Sequence, residues 1–328
     1  MQTQQLSIGL VAIGLVLRFG TPVLPAWAAE AAQASGARDL LDRYLAMPHP
    51  EGDAAGETRQ ARLEVLAQLS RTSNAVPVIR SAWPTLADPG QRAELAEMLG
   101  RKIQTSEAAS MLSECLKDPA EEVRWQVVHG LRLLARRTDR VGGRRVPRQP
   151  DRPPKIEGLV PALISAAHDP SEKVRVNAMY ALADARDPGA TQELRRHLHD
   201  PSREVRLHAA CFLTEFQDAS GLPELSQALG RLQATDPEHD LRYYSEAELL
   251  LASLERITGK SRGEIPMNPD LSSSTGDIEV RRGRYRKLVD AWSEFLSSDE
   301  GKRLLQTLRP VEPDPESARQ VRESGMDR

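Results

Sequence analysis

The sequence predicts an all-α solenoid, and three observations carry that expectation. An Asp-Pro pair followed by Val-Arg or Leu-Arg recurs four times: Asp118-Pro119 with Val123-Arg124, Asp169-Pro170 with Val174-Arg175, Asp200-Pro201 with Val205-Arg206, and Asp236-Pro237 with Leu241-Arg242. Behind the marks runs a face of small residues and leucine: Val127, Val128 and Leu131, then Ala178, Met179 and Leu182, then Ala209, Ala210 and Leu213. Aromatic residues make up only 4% of the 328, so packing must rest on Leu, Ala and Val. Helices of this kind bury their faces only by stacking, which makes one continuous array without a domain break.

The elements follow in chain order. Residues 6–17 form an uncharged apolar run, followed by Pro22, Pro25 and then Ala26-Trp27-Ala28. Small residues at those two positions are what a signal peptidase reads, so residues 1–28 are expected to be an export signal cleaved after Ala28. Residues 2–5 carry no Lys or Arg, and Arg18 follows the run. The alternative is an uncleaved anchor through residues 6–17, although twelve apolar residues fall short of a membrane span. Either way the repeats are expected outside the cytoplasm, in the periplasm or cell envelope. Residues 29–56 read as a flexible segment.

About six helical hairpins are expected over residues 57–258. Glu57 to Leu69 is one helix, and Val76 to Leu86 opens the second hairpin. A shortened mark at Asp88-Pro89 follows, with Gln91-Arg92 in place of Val-Arg and Leu95, Met98 and Leu99 as the buried face. The four full marks are preceded by helices over Ser106 to Leu116, Leu159 to Ala167, Ala190 to Leu198 and Leu222 to Gln233. Each Asp can accept from the free N–H groups of a helix start, and each Pro suits the first helical position, so every mark is expected to cap a helix. Successive marks from Asp88 fall 30, 51, 31 and 36 residues apart, so one repeat holds an insertion.

The insertion is residues 136–155, with eight Arg/Lys against two Asp, Gly142-Gly143 and four prolines. Such a segment is expected to be a mobile surface loop. It is either a solvated linker or a clamp for an acidic partner or anionic lipid head group. The chain's formal charge of -3 therefore divides into a local +6 and a remainder of -9. That is not the overall balance of a nucleic-acid binder. Residues 259–283 read as a loop. Arg284 to Leu308 resumes an amphipathic pattern through Tyr285, Leu288, Trp292, Phe295 and Leu296 and is expected to be a terminal cap helix. The tail, 309–328, is expected to be disordered.

The pattern Asp-Pro-x-x-x-Val-Arg-x-x-Ala-x-x-Ala-Leu, cleanest over Asp169 to Leu182, resembles the HEAT-repeat superfamily, and best its short bacterial form, the PBS-lyase-like repeats. Leu254 to Lys260 with the aromatic stretch from Tyr285 to Phe295 also resembles the end of exported HEAT proteins of planctomycete-type bacteria. The resemblance implies a right-handed superhelix whose second helices line the concave side, and it implies a binding scaffold more than chemistry. It also admits enzymes. HEAT-type deoxyhypusine hydroxylases use His-Glu dipeptides to hold iron, and this sequence has none: His129 precedes Gly130, and His208 precedes Ala209. A bilin-lyase-like activity conflicts with the export signal. A glycosylase would need a basic concave face.

Other catalytic patterns are missing too, among them His-Glu-x-x-His, the phosphate loop and the dinucleotide fingerprint. His197 and His199 lie two apart, which on a helix turns the rings about 200° from each other, away from a shared metal. They read as exposed histidines near a helix C-terminus. Cys115 and Cys211 lie two repeats apart, too far for a disulfide, and outside any Cys/His cluster. No catalytic, cofactor-binding or metal-binding residue is therefore assigned, and no cofactor is expected.

Two columns remain. The Asp and Arg of each mark, Asp118, Arg124, Asp169, Arg175, Asp200, Arg206, Asp236 and Arg242, can form a structural ladder between neighbouring repeats. Two and six residues after the Val or Leu of each mark, where exposed charge is usual, stand Trp125, Val176, Leu207 and Tyr243, then His129, Tyr180, Cys211 and Ala247. Trp125, His129, Val176, Tyr180, Leu207 and Tyr243 are the expected partner-binding stripe, unless another part of the chain covers them. The function expected is a non-catalytic protein or peptide scaffold of the cell envelope. The alternative is a HEAT-type enzyme or enzyme subunit. No nucleic acid partner is expected, and membrane contact only through an uncleaved N-terminus.

Overall fold

The computed structural model describes residues 26–48, 55–103, 105–135, 140–141, 144–145, 156–185, 187–235, 242–263 and 275–310. They divide into two compact units, one ending at Ala87 and the other beginning at Asp88. Residues 1–25 of the signal assigned to 1–28, and residues 311–328 of the tail assigned to 309–328, lie outside the described residues.

In the first unit, α1 (Ala26–Leu45) packs against α2 (Ala55–Leu69) and α3 (Ala75–Ala82). Residues 26–45, assigned above to the end of a signal and a flexible segment, are therefore helical. The reason is a core they share: Ala37, Leu41 and Tyr44 are buried, as are Val65, Leu66, Leu69 and Ile79. Arg62 is buried among them. Its Nη2 donates to Tyr44 Oη at 2.9 Å, its Nη1 donates to the Met47 carbonyl at 3.0 Å, and its guanidinium lies 4.5 Å from the centre of the Tyr44 ring. A buried guanidinium is tolerable only when its donors are met in this way.

The second unit opens with α4 (Pro89–Lys102) and continues as helix pairs: α5 (Ser106–Cys115) with α6 (Glu121–Ala135), α7 (Leu159–Ala167) with α8 (Glu172–Ala185), α9 (Pro188–Arg196) with α10 (Arg203–Leu213), and α11 (Leu222–Ala234) with α12 (Arg242–Thr258). The expected helices are present to within a residue or two, and α9 begins two residues early because Asp187-Pro188 caps it. Successive second helices, α4, α6, α8 and α10, pack directly on one another. The tightest approach is built from glycine: a methyl group on Gly100 of α4 would collide with the backbone of Gly130 of α6. Within the basic insertion, Arg140–Val141 and Arg144–Arg145 pair as a two-residue antiparallel ladder. The remainder of the insertion lies outside the described residues.

The expected single cap helix is two. α13 (Thr275–Ser297) ends where Ser298 caps α14 (Asp299–Thr307), its hydroxyl accepting from Gly301 N at 3.1 Å. Residues 275–283, expected to be loop, belong to α13. Tyr285, Leu288, Val289, Trp292 and Phe295 bury one face of α13 in a cluster with α10, α11 and α12.

The marks do not all cap helices. Asp88 does, accepting from Gly90 N and Gln91 N. Asp118, Asp169 and Asp200 each stand three residues before their helices begin, and each accepts from the backbone N–H two residues on, of Ala120, Ser171 and Ser202, at 2.8–3.0 Å. In α10 the cap is Ser202. One carboxylate oxygen thus closes a turn, and both oxygens take part in holding the preceding repeat.

Candidate functional site

The marks build a ladder between repeats. Arg92 Nε donates to Asp118 Oδ2 at 2.7 Å, Arg124 Nε to Asp169 Oδ2 at 2.7 Å, and Arg175 Nε to Asp200 Oδ2 at 2.9 Å, each with an Nη2 bond to the other oxygen at 2.9–3.1 Å. The third nitrogen turns back to its own repeat: Arg124 Nη1 donates to the Asp118 and Pro119 carbonyls, and Arg175 Nη1 to those of Asp169 and Pro170. Each guanidinium therefore joins two consecutive turns through a planar fork matched to a carboxylate. The hydrogen bond to Asp169 holds the Arg124 guanidinium above its ordinary pKa. At the next step the partner changes. Arg206 keeps its bonds to the Asp200 and Pro201 carbonyls, but its Nε donates to Glu224 Oε2 at 3.3 Å. Asp236 and the side chain of Arg242 lie outside the described residues.

The stripe divides. Trp125 is 37% exposed and stacks flat on His129, ring centroids 5.6 Å apart with planes 3° from parallel. The four-residue spacing along α6 allows this pairing. On α8, Val176 and Tyr180 are partly exposed, and Asn177 Nδ2 donates to the Trp125 carbonyl at 3.1 Å. Arg132 lies 4.5 Å above the Tyr180 ring while its Nε donates to Asp184 Oδ2 at 2.8 Å. Tyr180 also meets Phe212 edge-on and lies 3.3 Å through its hydroxyl from His208 Nε2. His208 Nδ1 faces the Glu204 carbonyl at 2.9 Å. A carbonyl only accepts, so Nδ1 carries the hydrogen and the Tyr180 hydroxyl donates to Nε2. Burial pushes the Tyr180 phenol up and the His208 imidazole down from their ordinary values.

Leu207 and Tyr243 do not belong to an open stripe. Both are buried, together with Cys211 and Ala247 of the same column, in the cluster that α13 completes. The helical register was right and the surface was not, because the chain's own later helices pack there, α12 on α10 and α13 on α12. Cys115 and Cys211 are both buried, on different repeats, and no disulfide joins them. Burial drives the Cys211 thiol up to about 12, the value of an inert core cysteine.

A cluster that sequence reasoning missed stands at the turns. His197 is buried, contrary to the expectation of an exposed side chain; only His199 is exposed. His197 Nε2 lies 3.0 Å from Glu193 Oε1, and its Nδ1 lies 3.3 Å from Asp200 Oδ2. His168, from the preceding repeat, brings its Nε2 to 2.9 Å from the same Glu193 oxygen. The four-residue spacing of Glu193 and His197 on a helix was a readable signal. The arrival of His168 was not.

Stacked helix pairs held by a repeated Asp–Arg fork define a helical repeat protein of the solenoid type. The chain belongs to the HEAT-repeat family, whose model matches residues 50–132 and 160–249. No curated protein matches the chain. Among solved structures it is similar to human deoxyhypusine hydroxylase in complex with glycerol, at 20% identity and TM-score 0.26, covering 81% of this chain and 99% of that one. It is also similar to an engineered protein, at 18% identity and TM-score 0.38, covering 84% and 67%.

Proposed function

We propose that this HEAT-repeat chain is a non-catalytic scaffold of the cell envelope that binds a protein or peptide partner on the concave side, at the α6–α8 part of its second helices. The observation that supports the reading is Trp125. Among the described residues the exposed large hydrophobic side chains are Leu63 and Trp125, and Trp125 stacks on His129. A half-open aromatic ring supplies a large contact area, which is the character of an interface anchor. The apolar run at residues 6–17 supports export. Among the described residues no helix is long and apolar enough to cross a membrane.

The test compares wild type with Trp125→Ala in capture from an envelope fraction, with the melting temperature measured in parallel. The substitution is expected to abolish capture while changing stability by no more than about 0.5 kcal/mol, as for an exposed site outside the core. Undiminished capture of the same partner by the variant would sink the assignment. Sequencing the N-terminus of the mature protein checks the export reading, with Ala29 the expected first residue.

A further inference from the structure

His197 sits between two carboxylates. A neutral imidazole carries one N–H, so it can donate to Glu193 or to Asp200 but not to both. The other ring nitrogen then points a lone pair at a carboxylate oxygen about hydrogen-bond distance away, which is repulsive unless something positive lies between them. His168 adds a second imidazole nitrogen aimed at the same Glu193 oxygen, and its ring centroid lies 5.3 Å from that of His197. One ring nitrogen of each histidine and a Glu193 carboxylate oxygen all lie within 4.8 Å of one another. The Glu193 side chain is only 1% exposed, so this convergence is built into the fold and is not a chance encounter on the surface.

We propose that His168, Glu193 and His197 form a divalent transition-metal site that staples two consecutive repeats. Two imidazole nitrogens and one carboxylate oxygen suit zinc and its neighbours and do not suit magnesium or calcium. Zinc bonds of about 2.0–2.1 Å place tetrahedral ligand atoms roughly 3.3 Å apart. The present 2.9 and 3.0 Å separations therefore need to widen by a few tenths of an ångström, and His168, whose side chain is 58% exposed, is free to swing by that much. Asp200 completes the arrangement by accepting from His197 Nδ1. That contact fixes the ring and leaves Nε2 for the ion, the arrangement common around metal-bound histidines. Glu193 binds through Oε1 alone, because Arg196 Nη1 donates to its Oε2 at 3.1 Å. The exposed flank beside His168 leaves a fourth position for water.

The consequence is mechanical. His168 follows α7 and His197 follows α9, so the ion ties the ends of the first helices of two repeats together. Asp200 also receives Arg175, which places the ion beside one rung of the ladder.

The test uses the full chain, stripped with chelator and titrated with Zn²⁺ by calorimetry, with melting curves recorded with and without metal. One equivalent of zinc is expected to bind and to raise the melting temperature, as any ligand specific for the folded state must. His168→Ala and Glu193→Gln are each expected to lower the affinity by at least about tenfold, while His199→Ala leaves it unchanged. His168→Ala is the decisive variant, because its exposed side chain can be removed with the metal-free melting temperature intact. Cobalt substitution gives a second readout: tetrahedral absorption bands in the wild type that vanish in His168→Ala. Failure of stoichiometric zinc to bind the wild type, or wild-type affinity in His168→Ala, overturns the proposal. Neither result bears on Trp125.

Discussion

One column of side chains runs along the second helices through two different surroundings. On α6 and α8 it holds Trp125, His129, Val176 and Tyr180, all at least partly exposed. On α10 and α12 the same positions hold Leu207, Cys211, Tyr243 and Ala247, each at 4% exposure or less. Nothing in the column itself marks the boundary. The difference is made by the later helices: α12 packs on α10, and the aromatic face of α13 packs on α11 and α12 as a cap must. An apolar column on a repeat array is therefore open only as far as the next element to pack on it, and here the open stretch ends between α8 and α10.

The comparison can be broken most severely by removing the cover. Trp292 is fully buried, and Trp292→Ala is expected to cost about 3–5 kcal/mol, as for other buried aromatic truncations. Urea denaturation measures it, and a dye that binds apolar surface should report the newly exposed face.

The ladder crosses both regions and tests whether they are held equally. Arg124 and Asp169 have side chains only 12% and 6% exposed, while Arg206, facing Glu224, is 28% exposed. Arg124→Ala leaves a buried carboxylate without its fork and is expected to cost about 3 kcal/mol. Arg206→Ala removes a longer, wetter bond and is expected to cost about 1 kcal/mol. Equal losses in the two variants would show that the pattern's departure at Glu224 has no energetic weight.

A finer contrast uses the two tyrosines. The Tyr180 hydroxyl donates to His208, whereas the buried Tyr243 hydroxyl has no hydrogen-bond partner among the described residues. Tyr180→Phe is expected to cost about 1 kcal/mol, and Tyr243→Phe to be neutral or stabilising by up to about 1 kcal/mol. Differential scanning calorimetry of the two variants decides it.

The smallest effect is one of pH. Burial depresses the His208 pKa, against the opposing Glu204 carbonyl bond and the charges of Glu204 and Glu172. A folded value below the unfolded one means that the stability His208 contributes is fully present above the unfolded value of about 6.5 and is lost as pH falls toward the folded value. The melting temperature should therefore decline below about pH 6.5, and His208→Gln should flatten that decline.

Much of the fold was legible because its signals are local. The spacing of apolar residues gave the helices from Ser106 to Leu222 nearly in register, and the repeated Asp and Arg gave the ladder as a possibility. The first error was also local in appearance: Asp118, Asp169 and Asp200 look like caps, but the Pro behind each forms a turn, and the helix starts later. The helix at residues 26–45 was missed because its apolar residues are spread among Ala, Gln and Gly, and only contact with α2 and α3 reveals a buried side.

By itself, the sequence determined that this protein is an array of helix pairs and in what register, since periodicity and turn chemistry act over a few residues. Which faces stay open, and which histidines meet, only the tertiary structure decided. Comparing columns pairs His168 with His199, each one residue before its Asp-Pro. The folded chain instead brings His168 to His197 and Glu193, because the distance between side chains on neighbouring repeats depends on how the helices stack and not on how the repeats align.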